Sequence, residues 1–371
     1  MKKIVYICQT GLIDNPSSGV GKKINYQISE FKKNGYECQC LELEPYYNKS
    51  LANKMLSRMP LGHIYTWERI AKKIGEDVFC IYIRKTKIDY YFYRFVKKMK
   101  SIGKTVFLEI PSYPYYKEFS VKDYPYLFKD FLWRKKACKL CENVIIYANP
   151  IKNPFKNSII LKNGIDVASI KVKKPSYKNG TLNIIAVSSM YYWHGYDRAI
   201  KGLFNYYNSN QKSKTIINFH FVGDGPESLR YKELVKKLGL SKYVFFYGPL
   251  YGEELDKVFD KCEIGFEGFG FHRKNAFYST SLKSLEYASK GIPFISSTPN
   301  DNFNDCDFFL LVDKGEGPIN LNLVLDFYHN LINKYINEEM LIENIRKYAL
   351  EKCDYSSAFK LMINKVKEIE Q

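Results

Sequence analysis

At 371 residues the chain exceeds what one hydrophobic core usually supports, so two domains are expected. An apolar share of 46%, abundant aromatics and no low-complexity tract exclude a disordered or fibrous chain. The net charge of +18 is lopsided, because residues 1–165 hold 30 Lys and Arg against 14 Asp and Glu, while the remainder holds 27 against 25. An excess confined to one half attracts an anionic partner: a membrane surface, a pyrophosphate-bearing acceptor or nucleic acid. Nucleic acid is set aside, since no recognised binding motif accompanies the charge. Nine scattered cysteines without a disulfide framework fit reduced thiols in the cytoplasm. The lone Cys138-x-x-Cys141 and five dispersed histidines make no zinc pattern, so no metal is expected.

The opening MKKIVYICQTGL lacks a long apolar core and a cleavage site, and reads as a first strand rather than a signal peptide. No stretch approaches the length of a membrane span. Further apolar, β-branched strands are expected at Val78–Ile83, Thr105–Ile110, Asn143–Tyr147 and Ser158–Leu161. The second half adds Leu182–Val187, Asn218–Val222, Val244–Tyr247, Glu263–Phe266, Pro293–Ser296 and Phe308–Val312. Near-continuous apolar strands alternating with helices imply parallel sheets covered on both faces, with ligand sites at the strands' carboxyl ends. The fold class is therefore α/β, two Rossmann-like parallel-sheet domains. The polar run Asn163–Gly180 is the candidate linker, which puts the domains at 1–165 and 166–354. A terminal helix, about 355–371, is expected to pack back on the first domain.

Within the first half, Glu109 closes a strand, and Pro111 and Pro114 stiffen the loop after it. Glu109 is expected to face a reacting group, with Tyr113 and Tyr115 lining an acceptor subsite. Aromatic and basic residues interleave over Asp89–Lys100, and less densely over Tyr46–Lys73, as on a membrane-contacting face. In the second half Ser279-Thr280-Ser281 precedes the helical run Leu282–Lys290, an N-cap whose backbone N–H groups suit an anion.

Several strings in order resemble the family 4 (group one) retaining glycosyltransferases, whose two Rossmann-like domains form the B-type fold. They are Ser17-Ser18-Gly19-Val20-Gly21-Lys22, Asn163-Gly164-Ile165-Asp166, Val222-Gly223-Asp224-Gly225-Pro226-Glu227 and Leu282-Lys283-Ser284-Leu285-Glu286-Tyr287-Ala288 before Gly291-Ile292-Pro293. Glu109–Tyr115 and Trp193–Arg198 look like a bacterial polysaccharide-building subgroup.

The resemblance implies a nucleotide-sugar donor as substrate, a UDP-sugar being the expected one, with no further cofactor and no obligatory metal. It places Gly19, Gly21 and Gly223 near the donor, and a diphosphate on Ser279, Thr280, Ser281 and Leu282. Glu286 would accept hydrogen bonds from the ribose. The first acid of the family's paired-glutamate motif is missing, since Tyr278 stands there; Glu267, in Glu267-Gly268-Phe269-Gly270, is the substitute candidate. The family's Arg and Lys clamp is missing too, replaced by Ser189 and His194. The positive charge would then come from His272, Arg273, Lys274 or Lys283, or from His194 if protonated.

The implied activity is transfer of a hexose or N-acetylhexosamine to a lipid-linked saccharide in capsule, exopolysaccharide or cell-wall glycan assembly. The enzyme would sit in the cytoplasm at the inner face of the plasma membrane, its basic first half on anionic lipid. Two alternatives stay open: a protein or soluble glycan acceptor, and a catalytically silent partner of another transferase.

Overall fold

The computed structural model describes residues 2–13, 19–46, 51–111, 113, 115, 121–147, 155–178, 180–209, 215–279 and 281–370. Ser17, Ser18, Pro114 and Thr280, all named above, lie outside the described residues, as does Ser112 within Glu109–Tyr115. The chain divides into one unit of Met1–Lys162 with Ala358–Gln371, and a second of Asn163–Ser357.

The first unit runs β1 (Lys3–Gln9), α1 (Gly19–Lys33), β2 (Glu37–Leu43), α2 (Leu51–Leu56), α3 (Trp67–Lys72), β3 (Val78–Arg84), α4 (Tyr90–Ser101), β4 (Thr105–Ile110), α5 (Tyr124–Leu140), β5 (Asn143–Tyr147) and β6 (Ser158–Leu161). Its six strands are ordered β2-β1-β3-β4-β5-β6, all parallel. The order reverses between β1 and β3, which opens a crevice at their carboxyl ends. Strand β2 escapes the sequence reading because it is an edge strand. Only one side of it is buried, so Glu37-Cys38-Gln39-Cys40-Leu41 alternates and lacks an apolar run.

Helix α4 corrects an expectation. Asp89 caps it by accepting from the Phe92 N–H at 2.8 Å, and the helix turns Phe92, Phe95, Val96 and Met99 into the core. Trp67 packs on Phe92 and Phe95 at 5.0 and 4.8 Å. The apolar side of Asp89–Lys100 thus covers the sheet, leaving only its polar side exposed.

The second unit runs β7 (Thr181–Val187), α6 (Tyr196–Asn208), β8 (Ile216–Val222), α7 (Ser228–Lys237), β9 (Val244–Phe246), α8 (Gly252–Phe259), β10 (Ile264–Gly268), α9 (Leu282–Lys290), β11 (Phe294–Ser296), β12 (Phe309–Leu311), α10 (Leu321–Tyr335) and α11 (Glu338–Tyr348). Its parallel sheet is ordered β12-β11-β10-β7-β8-β9, with the switch point between β7 and β10. The last helix, α12 (Tyr355–Glu368), carries Phe359 onto Phe31 at 5.3 Å, and beyond it Glu370 accepts from the Tyr36 hydroxyl at 2.7 Å. Each unit encloses its own apolar cluster. Among the described residues no helix is long and apolar enough to cross a membrane.

Candidate functional site

The carboxyl ends of β7 and β10 are tied together by one tyrosine. The Tyr287 hydroxyl, reaching from α9, donates to the Phe266 carbonyl at 3.0 Å and accepts from the Val187 N–H at 3.2 Å. Its ring lies so close to β10 that a Cβ at Gly265 would stand 2.7 Å from it. The loop after β8 lies equally close on the loop after β7. Gly223 has φ +109°, and a Cβ there would meet the Ser188 carbonyl oxygen at 2.0 Å.

Glu267 is the next-to-last residue of β10 and is fully buried. Its Oε1 accepts from the Ser279 hydroxyl, while among the described residues Oε2 accepts nothing. The buried Ser297 hydroxyl makes no hydrogen bond among the described residues, and the Ser281 and Ser296 hydroxyls lie near the Glu267 carboxylate. Burial pushes the Glu267 carboxyl up, opposed by the Ser279 hydroxyl, the Lys283 charge and the Ser281 and Ser296 hydroxyls. Lys283, on the first turn of α9, donates to the Glu267 carbonyl at 2.8 Å. Burial pulls its ammonium down to about 8, with Glu267 opposing and Lys274 adding to the fall.

Ser281 occupies the N-cap of α9 without a side-chain cap bond, and its N–H donates to the Ser279 hydroxyl at 3.2 Å. Leu282 is largely exposed and Glu286 half-buried along the same helix. The structure therefore gathers Glu267, Ser279, Ser281, Leu282 and Lys283 around the end of β10 and the start of α9.

Two expected cations are not available as such. His194 is buried and accepts from the Tyr191 N–H at Nδ1, 3.0 Å. Burial, with Lys283 and Lys274 nearby, pulls it down to about 2, so it is neutral and supplies no positive charge. Arg273 is charged, but all five of its N–H groups are engaged. They reach both Asp197 oxygens at 2.9 and 3.1 Å, both Glu316 oxygens and the Tyr192 carbonyl. Its guanidinium grips two carboxylates where a phosphate was expected. His272 shares Glu316 at 2.7 Å. Glu316 is pulled down to about 2, first by its hydrogen bond with Arg273.

In the first unit Gly19 and Gly21 lie inside the first turn of α1 rather than in a loop before it. Glu109 does not present a free carboxylate. Buried on β4, it pairs with Arg84 and accepts from the Tyr82 hydroxyl and the Gln27 amide, each at 2.6 Å. Burial pushes its carboxyl up, yet Arg84 and Lys23 outweigh this and hold it below the usual range. Lys23, pulled down to about 7 by burial, lies over the Tyr147 ring at 3.2 Å.

Tyr115 is likewise core, its hydroxyl donating to Asp130 at 2.6 Å and accepting from Arg134 at 3.1 Å. Tyr113 packs edge-on against it, half-buried. Neither the Glu109 carboxylate nor the Tyr115 hydroxyl is left to line an acceptor subsite. A cavity of about 650 Å³ does open in this unit, walled by Tyr46, His63, Trp67 and Tyr91 with Arg94 and Lys98. Tyr46, His63 and Tyr91 stack in series, with centroids 4.7 and 3.3 Å apart.

Sequence reasoning missed Tyr287 and Tyr196, whose hydroxyl donates to the Glu267 carbonyl at 3.3 Å. Both stand inside strings that carried the family resemblance, but nothing in a sequence says which strand a helical tyrosine will tie.

Residues 169–298 match the family described as glycosyl transferases group 1. No curated protein matches the chain by sequence. Among solved structures, HepE of Anabaena in complex with UDP aligns at TM-score 0.63 and 12% identity, over 99% of this chain and 100% of that one. Sucrose-phosphate synthase from Thermosynechococcus elongatus aligns at 0.63 and 12%, over 100% and 99%. The lipopolysaccharide outer core galactosyltransferase WaaB aligns at 0.62 and 13%, over 99% of each. At such identities the likeness is one of fold, and it runs the full length of the chain. With its two six-stranded Rossmann-like units the chain has the B-type fold of glycosyltransferases, and residues 169–298 of its second unit match the group 1 glycosyl transferases.

Proposed function

We propose that the enzyme takes a UDP-sugar at the β10–α9 end of the second unit and passes a hexose or N-acetylhexosamine, with retention, to a lipid-linked saccharide. The observation that carries the donor reading is the buried Glu267 carboxylate with an oxygen unpartnered among the described residues, beside Lys283 and the start of α9. A buried acceptor without a donor is costly, and a sugar hydroxyl would satisfy it.

Transfer breaks the bond from the anomeric carbon to a β-phosphate oxygen and forms one to the acceptor oxygen, whose proton passes to the departing phosphate. Negative charge grows on that phosphate. The α9 N-terminus, whose dipole favours anions, and the Lys283 ammonium would stabilise it. Glu286 would accept from the ribose hydroxyls. UDP is favoured as the nucleotide because the similar HepE structure was solved with it. A lipid-linked acceptor is favoured by the basic first half, which also contains the aromatic cavity beside Arg94 and Lys98.

The test is a thermal-shift panel of UDP-, GDP- and dTDP-sugars, followed by nucleoside diphosphate release with lipid-linked and soluble acceptors. A UDP-sugar should stabilise the protein by about 2.7 kcal/mol at a hundred times its dissociation constant. If no nucleotide-sugar stabilises it, the proposal fails.

A further inference from the structure

Helix α5 in the first unit buries charged side chains and exposes aromatic ones. Its buried face carries Lys129, Asp130 and Arg134 with Tyr126, Ala137 and Cys138, while Tyr124, Phe128 and Phe131 stand at helical spacing on the outer face. Phe131 is 71% exposed and Phe128 55%. The segment from α2 onward is tied to the same helix. Lys129 Nζ donates to the carbonyls of Ser57 and Gly62, each at 2.7 Å, and the Ser57 and Tyr126 hydroxyls are 3.1 Å apart. These bonds clamp residues 57–62 against α5, where Met59 and Leu61 are exposed, and Met55 at 71% with them.

Two neighbouring segments thus present large apolar side chains to solvent, an arrangement that soluble surfaces rarely keep without a partner. The charges around them have one sign. Lys54, Arg58, Lys135 and Lys136 are exposed on the same two segments. Among the described residues of these two segments the only carboxylates are Asp123, bridged to Lys87 at 3.2 Å, and Asp130, buried against Arg134 at 3.0 Å.

We propose that this face of α2, residues 57–62 and α5 seats the first unit on an anionic membrane surface, with Phe128, Phe131 and Met55 entering the headgroup boundary. An apolar face ringed by lysine and arginine has the chemistry of an interfacial contact. A second copy of the chain is a poorer occupant, because two such faces would bring like charges together. The proposal rests on the reading that the acceptor is lipid-linked, and moves the membrane contact from α4, whose apolar side is buried, to α5.

The full-length protein is tested by flotation with phosphatidylcholine vesicles, with and without phosphatidylglycerol. The wild type should float with the anionic vesicles, less at raised salt, and stay behind with phosphatidylcholine alone. Phe128→Ser with Phe131→Ser should lower the bound-to-free ratio at least about tenfold. Lys135→Ala and Lys136→Ala should lower it roughly fivefold each. Melting temperatures should hold, since all four side chains are exposed. The proposal is overturned if the Phe variant floats like the wild type, or if the wild type binds no vesicle. It is equally overturned if the wild type is a dimer that the Phe variant splits. Sugar transfer separates this from the acceptor reading. Loss of transfer on vesicles but not to detergent-solubilised acceptor supports the seat; vesicle binding without transfer to any lipid-linked acceptor leaves the seat supported and removes that reading.

Discussion

Glu267→Gln separates a donor-binding carboxylate from a structural one. The substitution keeps the shape of a fully buried side chain, so no cavity opens. Oxygen Oε1 can still accept from the Ser279 hydroxyl, but the charge goes, and the position of Oε2 becomes an N–H₂ or loses its acceptor strength. If a donor hydroxyl bonds Oε2, the loss is that of a charge-assisted hydrogen bond, about 1.5–3 kcal/mol, or some 10- to 150-fold in donor affinity. The apo protein moves the other way. Burial already pushes this carboxyl up, so neutralising it removes an unfavourable charge, and the melting temperature should rise. Calorimetric titration of the donor and a thermal melt of the apo protein together decide it. A lower melting point with unchanged donor affinity would refute the reasoning, because Glu267 would then be holding the strand end and nothing more.

The other expectations concern the same corner of the second unit. Lys283 is held near 8 by burial, and an anionic donor favours its protonated form, so donor affinity should be flat below that pH and fall about tenfold per unit above it. Lys283→Met should weaken binding at pH 7 and abolish the slope; a slope that persists in the variant would assign the proton elsewhere. Arg273→Ala strips Asp197 of both its short bonds, leaving Lys201 at 3.8 Å. It should cost about 3–5 kcal/mol in denaturant unfolding without changing the donor affinity of the folded protein. Lost affinity at full stability would instead make Arg273 a phosphate ligand. Gly223→Ala forces a left-handed residue and a 2.0 Å clash with Ser188. Backbone strain alone makes that about 1–3 kcal/mol, and an unaltered unfolding midpoint would mean that the β8 loop is placed otherwise.

Long-range pairing marks the limit of what the sequence discloses here. The central strands were legible because both their faces are buried and their apolar runs are nearly continuous, as in Ile4–Cys8 and Ile81–Ile83. The start of α9 was legible because a Ser/Thr cluster ahead of a periodic segment marks a helix start whatever it packs on. Glu109 was identified as a strand-end carboxylate, but its partner was not. Arg84 lies directly across from it in the β3–β4 register, and register depends on the whole sheet. Arg273 and Asp197, 76 residues apart, are hidden for the same reason. A lone arginine in a loop reads as a free cation until the fold delivers its carboxylates.

Helix α5 shows a further reason, which concerns orientation rather than pairing. Its sequence holds two stripes, one apolar at Tyr124, Phe128 and Phe131, and one mixed at Tyr126, Lys129, Asp130 and Arg134. The usual rule would turn the first toward the sheet and the second toward water. The rule assumes that a charge loses more by burial than it can regain inside. Here Lys129 finds two backbone carbonyls, and Asp130 and Arg134 find each other and Tyr115, so each charged side chain of the mixed stripe has a partner inside. Once that stripe faces inward, the helix geometry leaves Phe128 and Phe131 no choice but to face out. The exposed apolar face is thus a consequence of a buried polar network, and it persists in the folded unit whether or not a membrane is there to cover it.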